Sequence, residues 1–143
     1  MALNVTVSAP DQESWTGQAE KVVITSTTGQ VGILPGHAAM VTTVDIGMLL
    51  IEINENEWMP MISFSGIAVV NNDYVQILLS AYESAPKMSE ELADEQLREA
   101  LNNLSKANED DTMNKVLMSQ KVKAASSRLI ATQIVNKKRV PFS

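Results

Sequence analysis

Side chains capable of chemistry are few and widely spaced in this chain of 143 residues. His37 is its single histidine and cysteine is absent, so the usual transition-metal ligands and the thiol nucleophile are missing. His37 stands in residues 34–38, Leu-Pro-Gly-His-Ala, a turn sequence that lacks the nucleophile elbow of a serine hydrolase. We therefore expect His37 to have a positional or core role rather than to act as a general base, and we predict no enzyme activity.

Residues 29–32, Gly-Gln-Val-Gly, come nearest to a phosphate-binding loop. They lack the Lys-Ser/Thr ending with which such a loop holds phosphates and Mg²⁺, so these glycines are expected to serve a strand–turn–strand. The carboxylates before residue 87 are scattered and are expected to be solvated at strand ends. The sequence therefore predicts neither a cofactor nor a metal.

Charge divides the chain into two unlike parts. Residues 1–86 have a net charge of −8 and residues 87–143 of +2, within a total of −6. From residue 112 to the end there are seven basic residues and no acidic one. Aromatic residues are not interleaved with these basic ones, which argues against nucleic-acid binding. We predict that this segment docks against an acidic protein surface, with a solvated helix face as the alternative.

Nothing in the sequence suggests direct insertion into a membrane. The N-terminus lacks the basic and apolar regions of a signal peptide, and the longest apolar runs, such as residues 67–70, are too short to cross a bilayer. Any membrane connection is expected to go through a partner. The first strand pattern begins directly after Met1, so we expect no transit peptide and no mitochondrial origin.

Hydrophobic alternation with a period of two runs to about residue 84 and predicts strands. Turn sequences at residues 55–57 (Glu-Asn-Glu) and 71–73 (Asn-Asn-Asp) divide them, and Asn and Asp tolerate the positive φ of tight hairpins. Roughly eight to ten short strands joined by such turns predict a β-sandwich or flattened barrel.

Beyond residue 86 the pattern becomes helical. Ser89 is placed to cap a first helix, and Leu97, Ala100, Leu101 and Leu104 form one apolar stripe along it. Asp111 can cap a second helix over residues 112–135. The apolar positions of that helix are Met113, Val116, Leu117, Ala124, Ala125, Leu129 and Ile134. The predicted fold is therefore α+β: an N-terminal β-sandwich, residues 1–86, followed by an antiparallel two-helix hairpin, residues 87–143.

Residues 27–38, Thr-Thr-Gly-Gln-Val-Gly-Ile-Leu-Pro-Gly-His-Ala, resemble the signature turn of the epsilon subunit of F-type ATP synthases. Residues 15–19, 44–47, 66–69 and 71–72 also fit that family, as does Trp58. The Asp-Ile-Gly of residues 45–47 and the tryptophan positions are most similar to the chloroplast and cyanobacterial branch.

The resemblance implies a non-catalytic subunit of the rotor, or central stalk, of a proton-translocating enzyme. Its sandwich would bind the gamma subunit and rest on the membrane c-ring. The residues implied to face the ring are Gly29, Gln30, Val31, Gly32 and His37. The complex would lie on the stromal side of a chloroplast thylakoid, or on the cytoplasmic side of a bacterial or cyanobacterial membrane.

The resemblance also implies that the hairpin inhibits ATP hydrolysis. Folded, its apolar stripes would cover each other and the sandwich; extended, they would pack along gamma toward the alpha/beta catalytic head. Basic residues of the second helix would then face an acidic segment of the beta subunits. The candidates are Lys115, Lys121, Lys123 and Arg128, with the tail Lys137-Lys138-Arg139.

Three stretches depart from the family pattern, and one is the second helix, where Lys123, Ala124, Ser126 and Arg128 stand in a region that carries more Arg in plant relatives. The paired glycine usual near residue 65 is Ser65-Gly66 here. The ATP-binding Ile-Asp-x-x-Arg-Ala of some bacterial members corresponds to residues 88–93, Met-Ser-Glu-Glu-Leu-Ala, which lack both Asp and Arg. We therefore expect no bound nucleotide. The alternative function is a stand-alone β-sandwich and helical-hairpin module that binds an acidic protein.

Overall fold

The computed structural model describes residues 2–84 and 87–137, with the backbone alone for residue 137. The strands are β1 (Leu3–Ser8), β2 (Trp15–Ala19), β3 (Lys21–Ser26), β4 (Gly29–Ile33), β5 (Met40–Val44), β6 (Gly47–Asn54), β7 (Glu57–Ser63), β8 (Gly66–Asn71), β9 (Tyr74–Leu79) and β10 (Tyr82–Glu83). The helices are α1 (Glu90–Ser105) and α2 (Thr112–Lys137). The predicted α+β fold is confirmed. The predicted boundary after residue 86 falls at Ala85 and Pro86, outside the described residues.

Two five-stranded sheets form the sandwich. The first sheet has the order β2-β1-β9-β8-β5 and the second β10-β7-β6-β3-β4. In β1, Leu3, Val5 and Val7 are fully buried between the sheets, and the polar residues between them point outward. The alternation of apolar and polar residues therefore gives β1 one buried face and one outward face, because successive side chains of a strand point to opposite faces.

Tight turns occur where the sequence predicts them. Asn72 and Asp73 have φ of 49° and 64° and form the two-residue link between β8 and β9. Asn56, with φ of 62°, lies in the corresponding link between β6 and β7. β7 begins at Glu57, so that turn is one residue shorter than the predicted 55–57 segment.

Both helices begin at the predicted caps. The Ser89 Oγ accepts a hydrogen bond from the Leu92 N–H at 3.1 Å, and the Asp111 Oδ1 accepts one from the Asn114 N–H at 3.1 Å. Each cap satisfies an amide that has no partner inside its own helix. Neither described helix combines the length and hydropathy needed to span a bilayer.

The hairpin is folded onto the sandwich through α2. This helix contacts β6 and β7 on the outer face of the second sheet, and α1 packs against α2. Where they meet, a small apolar cluster forms from both elements. Its buried members are Val23, Met48, Leu50, Ile62, Ala131 and Ile134, with Trp58, Phe64 and Ile130 partly buried around them.

The first half of α2 lies outside this contact. Met113 is 72 % exposed, and Val116 and Leu117 are 48 % exposed. On α1, Leu101 is 47 % exposed. The expectation that the apolar stripes cover each other and the sandwich is therefore correct for the second half of α2 and wrong near the hairpin tip. These side chains therefore stay exposed in the folded hairpin.

Candidate interaction site

His37 belongs to a surface turn. Its N–H donates to the Leu34 carbonyl at 3.1 Å, and its ring Nδ1 lies 2.7 Å from the Ala38 carbonyl oxygen. The Gly36 N–H donates to the Asp73 Oδ1 at 2.7 Å, which ties this turn to the β8–β9 link. Within residues 2–84 and 87–137 no group of three or more His, Asp or Glu could hold a metal ion. The structure supports the positional interpretation of His37, since its ring is half-exposed and not in the core.

The residues implied to face the c-ring follow one edge strand. β4 is the outermost strand of the second sheet, with Gly29 and Gln30 exposed at one end and Val31 packed toward the core. His37 lies four residues beyond the other end of β4. The structure therefore does not gather Gly29 and His37 in one patch. A single partner would reach both by lying along the strand edge.

Arg128 forms a two-point contact with the sandwich. Its Nε donates to the Glu83 Oε1 at 2.8 Å and its Nη2 to the Glu83 Oε2 at 2.6 Å. A bidentate guanidinium–carboxylate pair of this kind is both strong and geometrically specific. The Arg128 hydrogen bonds lower the pKa of the Glu83 carboxyl against the opposing effect of burial, and the same bonds raise the pKa of Arg128.

The sign of this pKa change sets its pH dependence. Because the pKa of Glu83 is lowered in the folded chain, the contact stabilises the folded state above the ordinary carboxyl pKa. That stabilisation is lost as the pH falls through the lowered value. At neutral pH the pair is therefore fully ionised.

The position of Glu83 is determined by Tyr82 beside it. The Tyr82 backbone pairs with the Gln12 side chain, which donates to the Tyr82 carbonyl at 2.9 Å and accepts from its N–H at 3.1 Å. The buried Tyr82 ring donates its hydroxyl to the Glu13 carbonyl. β10 is thus held by β7 on one side and by the β1–β2 connection on the other.

Lys123 makes a second, weaker contact. Its Nζ lies 3.5 Å from the Asp45 Oδ2, and both side chains are partly exposed. The Asp45 carboxylate is oriented by the Ile46 N–H, which donates to its Oδ1 at 2.8 Å. The Ser63 hydroxyl donates to the Asp45 carbonyl at 3.0 Å and fixes the backbone.

Lys115 and Lys121 are exposed on α2, and among the described residues neither has a carboxylate within ion-pair distance. The tail at Lys137-Lys138-Arg139 lies outside the described side chains. Of the four predicted basic residues, two are therefore bound to the sandwich and two face solvent. Sequence reasoning did not identify Glu83 and Asp45 as partners, and no local pattern marks them.

A cleft of about 710 Å³ opens between the hairpin and the sandwich. Its lining includes Ile46, Phe64, Met88, Lys121 and Arg128. Met88 is the first residue of the stretch that lacks the Asp and Arg of the bacterial ATP-binding motif. The absence of a bound nucleotide therefore stays a prediction.

The outer face of the first sheet is free of charge in all five of its strands. Val41, Ile67, Tyr74 and Leu78 are exposed on it, with Val41 70 % exposed. Strand register places Ile67 beside Leu78. The other outward positions of this face hold Val69 and uncharged polar residues. These polar residues are Asn4, Thr6, Ser8, Thr16, Gln18, Thr43, Asn71 and Gln76. A charge-free face that exposes several large apolar side chains is typical of a protein interface.

Known proteins are similar in sequence to this chain over nearly its full length. The chloroplastic ATP synthase epsilon chain of Gracilaria tenuistipitata var. liui is 38 % identical over 94 % of this chain and 98 % of the relative. The ATP synthase epsilon chain of Synechococcus sp. strain RCC307 is 38 % identical over 93 % and 98 %.

Solved structures share the fold. A chain in the mitochondrial ATP synthase of Euglena gracilis, determined with OSCP, F1 and c-ring, aligns with a TM-score of 0.73 and 19 % identity over 88 % of this chain and 78 % of that one. A chain in the central stalk and c-ring of the Tetrahymena thermophila mitochondrial enzyme gives 0.58 and 14 % over 91 % and 96 %.

The fold places the chain among proteins built as a β-sandwich that carries a docked helical hairpin. Residues 2–85 match the model of the ATP synthase delta/epsilon chain β-sandwich domain. The chain belongs to this family, and its curated relatives are named ATP synthase epsilon chain. The resemblance identified from residues 27–38 is confirmed.

Proposed function

We propose that this epsilon chain links the gamma subunit to the c-ring in the rotor of an F-type ATP synthase and restrains ATP hydrolysis through its hairpin. Residues 1–86 are the coupling module and residues 87–143 the regulatory one. The observation that carries the proposal is the division of surfaces: the hairpin covers the second sheet, and the charge-free face of the first sheet stays open.

The gamma subunit is assigned to the charge-free face. Ile67 and Leu78 form an apolar pair on this face, and no charged side chain of its strands would have to be desolvated on binding. The two sheets share one core of inward side chains, so the sandwich deforms little under load. A stiff module between gamma and the ring would transmit torque with little elastic deformation.

The c-ring is assigned to the β4 edge, from Gly29 and Gln30 to the turn at His37. The hydrogen bond from Gly36 to Asp73 holds that turn against the first sheet. The membrane is reached in this arrangement through the ring alone. We place the complex on the stromal side of a thylakoid membrane, with the cytoplasmic side of a bacterial or cyanobacterial membrane as the alternative.

The hairpin is proposed as a brake because its attachment is limited. The apolar cluster between α2 and the sandwich consists of six buried and three partly buried side chains, contributed by both elements. The exposed tip of the hairpin has further apolar surface that another partner could cover. Two packings of similar burial differ by only a few kcal/mol, so ligands or proton-motive force can shift the balance. In the extended packing the lysines of α2 meet the acidic segment of the beta subunits.

Replacing Lys115 and Lys121 with alanine tests the brake without disturbing the contacts of Lys123 and Arg128. We expect ATPase of the reconstituted head to rise about two- to fivefold, since each exposed pair contributes roughly 0–1 kcal/mol. Added salt should produce a similar rise in the wild-type complex. The triple change Lys121→Ala, Lys123→Ala and Arg128→Ala should raise ATPase further.

Lys106→Ala is the matched control, because Lys106 is exposed at the end of α1 and carries the same charge. It should leave ATPase unchanged. If neither the multiple variants nor salt altered hydrolysis, the basic-helix mechanism would be wrong. A tagged chain should also recover gamma and the alpha/beta head from detergent-solubilised membranes; recovery of an unrelated acidic protein alone would favour the stand-alone module.

A further inference from the structure

Two of the basic side chains expected to act as a brake are already bound within the folded chain. Arg128 is bound by Glu83 and Lys123 by Asp45. Both carboxylates belong to the sandwich and both basic residues to α2. A basic side chain held in this way is not available to a second acidic partner.

We propose that Glu83 and Asp45 form an intramolecular latch that holds α2 on the sandwich and competes for Arg128 and Lys123 with any external acidic surface. The latch itself depends on contacts within this chain. Its effect on ATP hydrolysis rests on the proposed brake. Opening the hairpin then requires that these contacts break before the same side chains can serve elsewhere.

The carboxylates are fixed before α2 reaches them. Glu83 follows the buried Tyr82, which is bonded to Gln12 and Glu13. Asp45 is held by the amide of Ile46 and by Ser63. Because these acceptors are oriented by the sandwich, little conformational entropy is lost on their side when α2 docks.

The two contacts also give the docked helix a defined position. Lys123 and Arg128 are five residues apart, which is about 7.5 Å along a helix axis. The buried hydroxyls between and beyond them do not bond the sandwich: Ser127 donates to the Lys123 carbonyl at 2.8 Å and Thr132 to the Arg128 carbonyl at 2.7 Å. Over the described part of α2 the rest of its contact with the sandwich is apolar and non-directional, so the two ionic contacts set the register.

Glu83 is the stronger half of the latch. Its bond to Arg128 is bidentate and half-buried, and the lowered pKa of Glu83 agrees with a stabilised carboxylate. The Lys123–Asp45 contact is a single one at 3.5 Å, with the lysine 51 % exposed. Loss of Glu83 should therefore open the hairpin much more than loss of Asp45.

The experiment uses the full chain, which has no cysteine, so two introduced cysteines accept dyes without competition. Thr16→Cys on β2 and Asn102→Cys on α1 are exposed, and single-molecule energy transfer between them reports the ratio of open to closed hairpin. Glu83→Gln should raise that ratio roughly tenfold, as expected for loss of a charged hydrogen-bonded pair. Asp45→Asn should raise it about two- to threefold.

Glu20→Gln is the matched control, because it removes an exposed carboxylate in the link between β2 and β3 that forms no ion pair with α2 among the described residues. It should leave the ratio unchanged. The exchange Glu83→Arg with Arg128→Glu should restore closure to within about twofold of wild type, because the pair is rebuilt with reversed charge. Equal ratios for Glu83→Gln and wild type, or an equal increase with Glu20→Gln, would overturn the latch.

Failure of the latch and failure of the brake are separable, because closure is measured without any partner. If Glu83→Gln opens the hairpin and strengthens inhibition of ATPase in the reconstituted head, both stand. If it opens the hairpin and leaves ATPase unchanged, the latch stands and the brake is contradicted. The charge-exchanged variant should close normally and inhibit poorly, since its second helix presents a carboxylate to the acidic segment where the wild type presents the Arg128 guanidinium.

Discussion

The Gly66→Ala variant is expected to be strongly destabilised. A Cβ at this position would lie 2.0 Å from the Leu78 carbonyl oxygen and 2.8 Å from the Leu79 Cα, both backbone atoms of β9. Neighbouring strands cannot separate without breaking the ladder between β8 and β9. We expect a loss of about 3 kcal/mol or more and a fall in Tm of roughly 10 °C, measured by thermal denaturation followed by circular dichroism.

The control for this prediction is the residue before it. Ser65 is exposed, and its hydroxyl lies 3.4 Å from that of Ser80. Ser65→Gly, which makes the glycine pair usual in the family, should change stability by less than about 1 kcal/mol. We therefore expect that residue 65 can be either serine or glycine, whereas residue 66 must be glycine. A Gly66→Ala protein that melts with the wild type would show that β8 and β9 tolerate a wider spacing.

Leu78→Asp is expected to abolish binding of the gamma subunit. Leu78 is 45 % exposed on the charge-free face, beside Ile67. A carboxylate introduced there would be buried without a partner on binding, at a cost of several kcal/mol. We expect the Kd for purified gamma to rise at least about 100-fold in a titration calorimetry experiment, with an unchanged Tm because the position faces outward.

The matched control is Leu34→Asp, the same change at a leucine that is 54 % exposed in the turn before His37. It should leave the affinity for gamma unchanged and weaken association with the c-ring. The opposite result, loss of gamma binding from Leu34→Asp and none from Leu78→Asp, would exchange the two assignments.

The folded hairpin revises the electrostatic hypothesis for this subunit. Positive charge on α2 was expected to gain partners on extension. The structure shows that Arg128 and Lys123 have partners in the folded state. The equilibrium between the folded and the extended hairpin then depends on the difference in free energy between the ion pairs within the chain and those with an external partner. This difference is smaller than the free energy of either set of ion pairs. A small difference is what permits a switch to respond to modest changes in conditions.

Local features of the sequence predicted the elements correctly. Alternation in β1 places Leu3, Val5 and Val7 in the core, and the Asn72-Asp73 pair forms the turn that its tolerance of positive φ predicts. Ser89 and Asp111 cap the helices. These features depend on interactions within a few residues, so the chain can specify them without reference to its distant parts.

The strands, the turns, the helix caps and the family of the chain can all be read from its residues and their order. The tertiary structure alone decided which face α2 covers, which apolar residues stay exposed at the hairpin tip, and which carboxylates bind its cations. Glu83 and Asp45 lie 45 and 78 residues from Arg128 and Lys123. The hydrophobic periodicity of the sequence does not predict contacts between positions so far apart, because these contacts form only when the helix α2 docks on the folded sandwich.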